Sequence, residues 1–329
     1  MIANAASGQS GASRPRVTFA ILAYNRREEV AETLRKLTSG IDYPAELIEI
    51  IVADNASRDG TSEMVRGDFP AVKCLTLPAN VGVGGWNHAF EVATGDYLFV
   101  LDDDSAPLSG VSQAIDYLEA NARVGILACK VIGGAFGTEG FALRDRQEWV
   151  GFIGCGAIIR RALFERIGGF AEWLFIYAHE WEYGLRCLDA GYEIRFFEAC
   201  VVEHRAAATN RSWHRLITYT FRNELLMVYK HFPRKRVIHY CRVVVLLAVH
   251  FMRLRTGLRS IPYAVEGVWR SILDARHLSR SYVKPEVQDR FTAQLLSTQP
   301  ILPKLVRQTG RMLGLLPTET QATRERSVV

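Results

Sequence analysis

The sequence predicts an α/β fold in which a mainly parallel sheet is flanked by helices, followed by a helical C-terminal extension. The first supporting observation is that almost continuous apolar, β-rich runs alternate with stretches of helical spacing, as in VTFAILAYN (17–25) and RREEVAETLRKLTSG (26–40). Strands of this composition are typical of parallel sheets that helices cover on both faces. The second observation is that the chain beyond Trp213 has mainly helical spacing.

The elements of this sheet follow one another along the first two thirds of the chain. A strand, a helix and a strand at 17–25, 26–40 and 47–57 predict a βαβ unit. We predict further strands at 72–80, 97–104, 125–134, 152–161 and 193–205, and further helices at 59–69, 84–94, 161–169 and 179–192. Because the carboxyl ends of parallel strands meet at one edge, one crevice is expected to collect Asn25, Asp54, Asn80 and the acidic triplet at 102–104.

Charge divides the chain into two regions. Residues 1–204 contain 18 Lys/Arg and 28 Asp/Glu, whereas residues 205–329 contain 22 and 7, a net formal charge of +15. Six cysteines form no CxxC pair and lie mostly in apolar runs, which favours buried thiols over disulfides or zinc. The first sixteen residues lack an apolar core, so we predict a disordered tail rather than a signal peptide. No run reaches the ~18 apolar residues of a membrane span.

The acidic triplet ends the apolar strand YLFVLDDD. Asp102 and Asp104 project to the same side, and hard oxygen ligands suit a divalent cation such as magnesium or manganese. A solvated acidic turn is the alternative, although a plain turn would not require the apolar strand before it. Such a cation completes its shell with substrate phosphates, so a nucleotide is the natural partner.

Six motifs in order resemble the family-2 glycosyltransferases with the GT-A fold. They are AILAYNR, IVADNASRDGT, NVGVGGWNHAF, LFVLDDD, GFIGCGAIIRRALFERIGGF and HEWEYGLRCLDAGY, within residues 17–233. The resemblance is to the non-processive rhamnosyl- and galactofuranosyltransferase branch. It implies a disordered tail at 1–16, a catalytic domain at 17–233 with a nucleotide-sugar-binding half (17–105) and an acceptor half (106–233), and a basic helical region at 234–329.

The resemblance also implies roles for the donor site. Asp54 would contact the pyrimidine base, with a turn-forming Asx residue as the alternative. Asp102, Asp104 and His204 would hold the metal, although a lone histidine is more often structural. The nucleotide site would include Ala23, Tyr24, Asn25, Asn80, Gly82, Gly85 and Asp103. The glycines would offer backbone donors to the diphosphate or simply permit a tight turn.

The catalytic base is expected on HEWEYGLRCLDAGY. Glu180 aligns with the usual aspartate and His179 with its acidic neighbour, which departs from the family at both positions. Glu182 is the rival base, because a two-residue slip would exchange the two. For phosphate or acceptor contacts the resemblance points to Arg222, Trp173 and His179; Arg222 could instead pair with a carboxylate.

The implied function is an inverting, metal-dependent transfer of a sugar from dTDP-rhamnose or a UDP-sugar to a lipid-linked or polysaccharide acceptor. A sugar nucleotidyltransferase is the second reading, but it would need a Gly-rich, Arg/Lys-bearing loop after the first strand. A non-catalytic nucleotide-sugar-binding protein is the third, supported by the unusual HEWE. We expect a cytoplasmic protein, at the inner face of the membrane, with no nucleic acid as partner. Residues that form a basic helical stripe support contact with anionic lipid, namely Lys235, His239, Arg242, Leu246, His250 and Arg253. The alternative is a helix that packs on the catalytic domain with its charged edge in water.

Overall fold

A computed structural model describes residues 14–133, 150–205, 212–237 and 257–298. Its contacts divide the chain into two compact units. The sheet unit comprises Met1–Phe175 and His179–Thr209, and the helical unit comprises Ile176–Ala178 and Asn210–Val329. The predicted boundary after residue 233 stays a prediction; in these two units the helix that begins at Trp213 belongs with the C-terminal region.

The described part of the sheet unit contains one sheet of eight strands. They are β1 (Val17–Ala23), β2 (Ile48–Asp54), β3 (Lys73–Thr76), β4 (Tyr97–Asp102), β5 (Ser105–Ser109), β6 (Val124–Ile132), β7 (Ala157–Arg160) and β8 (Glu193–His204). Their order across the sheet is β3-β2-β1-β4-β7-β6-β8-β5. β1, β2, β3 and β4 are parallel, while β7 runs antiparallel to both β4 and β6, and β5 runs antiparallel to β8.

Six helices of the sheet unit follow the strands. They are α1 (Arg27–Ser39), α2 (Thr61–Asp68), α3 (Gly85–Val92), α4 (Val111–Ala120), α5 (Arg161–Ile167) and α6 (His179–Asp189). The helical unit contains α7 (Trp213–His231), α8 (Ile261–Asp274) and α9 (Pro285–Thr298) among its described residues. No helix in the described ranges combines the length and the apolar composition needed to cross a membrane.

The apolar strands form a core that fixes where the site lies. Phe19 of β1 and Phe99 of β4 are fully buried and stack with ring centroids 5.1 Å apart. The parallel register pairs Ala23 with Asp54 and Leu22 with Asp102. The carboxyl ends of β1, β2 and β4 therefore meet at one edge, as the sequence predicts.

Several structural details differ from the sequence prediction. The pattern does not predict the short strand β5 or the helix α4, which begins after Gly110 in the left-handed conformation at φ 82°.

Of the predicted tail, residues 1–13 lie outside the described ranges, while Arg14 pairs with Asp116 at 2.6 Å and the backbone N of Arg16 donates to Asp96. The basic stripe from His239 to Arg253 also lies outside them. The described cysteines, namely Cys74, Cys129, Cys155, Cys187 and Cys200, are free thiols, as predicted.

Candidate active site

The acidic triplet forms a tight turn between two strands. Asp102 ends β4, Asp103 and Asp104 make the turn, and Ser105 begins β5. The backbone N of Asp102 donates to Ser105 Oγ at 2.9 Å, which closes the turn. Asp104 is fully buried, whereas the Asp102 side chain is 37% exposed. The turn thus presents one buried and one accessible carboxylate.

His204 lies beside this turn because β5 and β8 pair antiparallel. Their register places His204 opposite Ser105. His204 Nε2 lies 3.2 Å from Asp104 Oδ1 and 3.8 Å from Asp102 Oδ2. The thiol of Cys155, from the turn before β7, completes the group: ligand atoms of Asp102, Cys155 and His204 all lie within 4.8 Å of one another. The structure therefore brings the three predicted metal residues together and adds a cysteine.

Arg26 is a functional candidate that the sequence analysis missed. Its Nη1 donates to Asp103 Oδ1 at 2.8 Å and lies 3.3 Å from Asp104 Oδ2. Burial alone would lower the pKa of Arg26, but the carboxylates of Asp103, Asp104 and Asp102 outweigh it, so this pKa is raised. Its signal in the sequence is the basic pair that follows β1 in AYNRR. Asp103 accepts hydrogen bonds from Arg26 and, at 3.4 Å, from the backbone N of Tyr24, and its contact with the nucleotide stays a prediction.

The electrostatics of the turn suit a cation. Partial burial raises the pKa of Asp102 to about 6, with a further increase from the negative charge of Asp104. Burial likewise raises the pKa of Asp103 to about 7 against the lowering effect of Arg26. Carboxylates that raise one another's pKa values are stabilised when a metal ion shares their charge. Asp102 and His204, together with the buried Asp104, are the residues that would hold a divalent cation.

Asp54 lies at the adjacent strand end and is fully buried. Its Oδ1 accepts from the backbone N of Ser57 at 3.0 Å, and its Oδ2 accepts from the Ser62 hydroxyl. This geometry matches the turn-forming alternative, and the contact with a base stays a prediction. The same turn contains Ala56 at φ 63°, and the neighbouring turn contains Asn25 at φ 50°, whose Oδ1 accepts from the backbone N of Arg58.

The glycine turn, Gly82–Gly84 before α3, packs on the segment of the sheet unit that contains Phe175. Asn80 Oδ1 accepts from the backbone N of Gly82, and Val83 N donates to the carbonyl of Phe175 at 2.7 Å. A Cβ on Gly82, at φ 61°, would lie 1.9 Å from that carbonyl oxygen, and one on Gly85 would lie 2.3 Å from Leu22 Cδ1. Close packing thus requires these glycines, and a role at the donor diphosphate stays a prediction.

Asn55 anchors this turn and was also missed by sequence reasoning. Its Nδ2 donates to the carbonyl of Gly82 at 2.9 Å, and its Oδ1 accepts from the backbone N of Val81 at 3.0 Å. Both ends of the buried amide are used, so Asn55 fixes the end of β2 to the glycine turn. Its position directly after Asp54 is the only signal in the sequence.

The two rival carboxylates of α6 have different environments. Glu182 is 1% exposed, and both its oxygens accept from Arg186, with Nε at 3.0 Å from each. Glu180 is 22% exposed, and its Oε2 lies 3.2 Å from His179 Nδ1. A Cβ on Gly154 would lie 3.3 Å from Glu180 Oε1, so this carboxylate stands beside the turn that carries Cys155. Its charge also raises the pKa of Asp102.

The remaining predicted contacts are placed as follows. Trp173 is half-buried in the short 3₁₀ turn Glu172–Leu174, which packs against the glycine turn. Arg222, in the helical unit, donates to Asp274 Oδ2 at 2.6 Å. This is the carboxylate pairing that the sequence left open, and a phosphate contact stays a prediction. Ala23 is fully buried at the end of β1, and Tyr24 is half-buried just beyond it.

Comparison with known proteins identifies relatives of this chain. Residues 18–168 match the model of glycosyl transferase family 2. A curated relative, the probable glycosyltransferase YdaM of Bacillus subtilis, is 29% identical over 259 residues, covering 68% of this chain and 60% of its own length. The abequosyltransferase RfbV of Salmonella typhimurium is 32% identical over 116 residues, covering 33% of this chain and 34% of its own length.

Solved structures share the fold. The mannosyltransferase PcManGT of Pyrobaculum calidifontis, in complex with GDP-Man and Mn²⁺, aligns with 88% of this chain and 82% of its own at TM-score 0.53 and 21% identity. TarS 1-349 of S. aureus, in complex with UDP-GlcNAc, aligns with 84% of this chain and 83% of its own at TM-score 0.57 and 15% identity. The predicted fold class is confirmed. Residues 18–168 are thus similar to glycosyl transferase family 2, and the chain shares the fold of these solved glycosyltransferases, while it spans about 60% of the length of YdaM.

Proposed function

We propose that the chain is an inverting, metal-dependent glycosyltransferase that moves a sugar from a nucleotide-diphosphate donor, dTDP-rhamnose or a UDP-sugar, to a lipid-linked or polysaccharide acceptor. The observation that carries the proposal is that the accessible carboxylate of Glu180 stands beside the turn Gly154–Gly156, whose Cys155 thiol lies within 4.8 Å of ligand atoms of Asp102 and His204. Two structural neighbours are complexes with GDP-Man and with UDP-GlcNAc, which supports a nucleotide-sugar donor.

The reaction needs a base at one end of the sugar and charge stabilisation at the other. Glu180 accepts the proton of the acceptor hydroxyl while the acceptor oxygen attacks the anomeric carbon. The bond from that carbon to the diphosphate breaks in the same in-line step, so the configuration inverts and the nucleoside diphosphate leaves. Asp102, Asp104 and His204 would hold a divalent cation, which would supply stabilisation of the charge that develops on the diphosphate. Manganese is favoured over magnesium by the imidazole among the ligands and by the Mn²⁺ in the PcManGT complex.

Glu180 is a better base than Glu182 in this geometry. The Arg186 guanidinium occupies both oxygens of Glu182, and losing that partner would leave a buried charge uncompensated. Glu180 is accessible and lies at the start of α6, where a helix N-terminus favours a negative charge. Glu182 therefore has a structural role, holding Arg186 against the backbone carbonyls of Ile167 and Gly169.

The first experiment measures release of free nucleoside diphosphate from UDP-, dTDP- and GDP-sugars, with manganese, magnesium or chelator, in the presence of a membrane lipid extract. We expect release from one donor that depends on metal. Glu180→Gln should lower kcat by about 10²–10⁴-fold because it removes the base, while donor binding survives. The exposed Glu165 of α5 gives a control, and Glu165→Gln should retain wild-type activity.

The rival functions predict different outcomes. Donor binding without release in every combination of metal and lipid would favour the non-catalytic binding protein. Full activity of Glu180→Gln would reject Glu180 as the base, and selective loss in a folded Glu182→Gln variant would move the assignment there. Release of pyrophosphate from a nucleoside triphosphate and a sugar phosphate would identify the nucleotidyltransferase.

We further propose that the helical unit contacts anionic membrane at the cytoplasmic face, where a lipid-linked acceptor would be held. Support comes from α8, whose outward side chains form one apolar stripe, and in which Val265 and Trp269 are each 61% exposed. The stripe consists of Ile261, Val265, Val268, Trp269, Ile272 and Leu273. The opposite side packs on α7, where a Cβ on Gly267 would lie 2.4 Å from the carbonyl oxygen of Thr218.

Basic residues stand at both ends of this stripe. Arg259 is exposed just before α8, and Arg276 is exposed just after it. On the helix itself Arg270 pairs with Glu266 at 2.6 Å. An apolar stripe with a tryptophan and cationic ends is typical of helices that lie in the interface of anionic membranes. The net charge of +15 over residues 205–329 adds a long-range attraction to the same surface.

A further inference from the structure

Cys155 is the one member of the cluster at the carboxyl edge of the sheet for which the proposed reaction has no use. It lies in the 3₁₀ turn Gly154–Gly156 before β7 and is 3% exposed. Its Sγ, a carboxylate oxygen of Asp102 and an imidazole nitrogen of His204 lie within 4.8 Å of one another. Three different kinds of ligand atom are therefore close neighbours in one cluster.

The turn that carries this thiol is fixed by packing on both sides. A Cβ on Gly156 would lie 2.8 Å from Val131 Cγ2. A Cβ on Gly154 would lie 3.1 Å from His179 Nε2. The backbone N of Gly156 donates to the carbonyl of Ile153 at 3.1 Å. The backbone of this turn is thus closely packed, and its buried thiol lies near Asp102 and His204.

The donor set has its own metal preference. Magnesium and manganese prefer oxygen ligands, whereas a thiolate together with an imidazole and a carboxylate suits zinc and cobalt. Tetrahedral zinc needs three protein ligands and leaves a fourth position open when the site is catalytic. The group Asp102, Cys155 and His204 supplies three such ligands.

We propose that Cys155, with Asp102 and His204, coordinates a thiophilic divalent cation of the zinc class in competition with the manganese or magnesium of the transfer reaction. The inference rests on the proposed function, since it places both kinds of ion at the same centre. On binding, the sulfur forms a bond to the metal and the thiol proton passes to solvent. Zinc bound in this way would occupy the site of the manganese or magnesium ion, and it would use the Cys155 thiolate, which those hard cations bind poorly.

The test uses Co²⁺ as a spectroscopic substitute for zinc on the purified full chain. Wild type should show a near-ultraviolet thiolate-to-cobalt charge-transfer band, and Cys155→Ser should lack it. The matched control is Cys129→Ser, which removes another buried thiol, from β6, and should retain the band. Cys155→Ser should weaken Zn²⁺ binding by about tenfold or more, since removing a ligand costs at least as much as removing its hydrogen-bonded support. Binding of Mn²⁺, followed by electron paramagnetic resonance, should change less.

The outcomes separate this inference from the proposed function. Mn²⁺ binding without a charge-transfer band in wild type would overturn the role of Cys155 and leave the metal-dependent transferase standing. A band that persists in Cys155→Ser would assign the sulfur to another cysteine and also overturn it. Failure to bind either ion would overturn both. Circular dichroism of each variant confirms that the comparison is made between folded proteins.

Discussion

At the residue scale, His179 is an unusual start to a helix. Its ring packs beside those of Trp86 and Phe170, with centroids 5.7 and 5.2 Å away. Burial lowers the pKa of this imidazole, although Glu180 and Glu182 act in the opposite direction. The folded protein therefore favours the neutral ring, and acid must charge it inside an aromatic pocket.

This burial predicts a pH dependence of stability. A group whose pKa is lowered by folding contributes stability that is present above the unfolded pKa, about 6.5 for histidine, and lost as the pH falls through the folded pKa. Wild type should thus lose free energy of unfolding as the pH falls below about 6.5. His179→Gln, which cannot be protonated, should lose less over the same range. Urea unfolding at pH 8 and at several lower pH values measures the difference.

His88 provides the control for this prediction. It lies on α3 and is exposed, so His88→Gln should follow the wild-type profile. An equal loss of stability in wild type and His179→Gln would show that other groups determine the acid response.

The site residues differ in how far the sequence could predict them. Asp102, Asp104 and His204 follow from strand ends and the family pattern, and they lie together in the structure. The sequence marks Arg26 and Asn55 only by their positions after β1 and β2 and does not mark Cys155, because each acts through space on residues far away in sequence. Their roles depend on packing and register, which no local pattern contains.

At the scale of elements, the glycine turn before α3 is a tightly constrained piece of backbone near the site. Gly82→Ala would place a methyl group 1.9 Å from the Phe175 carbonyl oxygen and force a left-handed φ on alanine. We expect a loss of roughly 1–3 kcal/mol in free energy of unfolding, with weaker donor binding, because the turn must leave the segment at Phe175. Denaturant unfolding and donor titration measure the two effects.

Gly67 is the matched control for that substitution. It lies in α2 without positive φ, and a Cβ there would have nothing within 4 Å. Gly67→Ala should raise stability by about 0.5–1 kcal/mol, since alanine is the better helix former. A Gly82→Ala variant as stable as wild type would mean that the turn relaxes without cost.

The pattern of apolar residues predicts where the strands lie better than it predicts whether neighbouring strands are parallel or antiparallel. The apolar runs of β1, β2 and β4 indicate buried parallel strands, and the structure has them. β7 reads as an equally apolar run but lies antiparallel between β4 and β6. The direction of a strand depends on the path of the segment that connects it to the preceding strand. The strand β5 has only five residues, one of them a proline, which are too few to show an alternating pattern.

At the scale of the whole molecule, the charge asymmetry leads to a binding prediction. The full chain should bind vesicles containing phosphatidylglycerol more strongly than vesicles of phosphatidylcholine alone, and salt should weaken this binding. Trp269→Ser should reduce binding several-fold, because it removes the largest exposed ring of the α8 stripe. Co-sedimentation with vesicles measures both effects.

Trp213 allows a comparison with equal chemistry. It is 51% exposed on α7, outside the α8 stripe, so Trp213→Ser should bind vesicles like wild type. Equal binding of anionic and neutral vesicles, or equal losses in the two tryptophan variants, would argue against α8 as the membrane-contacting surface.

Arg26 has a consequence for how the protein is matured. Because its guanidinium already faces Asp103 and Asp104, the acidic turn has a permanent counter-charge from within the chain. The turn can form during synthesis without waiting for an ion from solution. Under the proposed function, folding and metal loading would then be separate equilibria, and the supply of cation would control how many molecules are active rather than how many are folded.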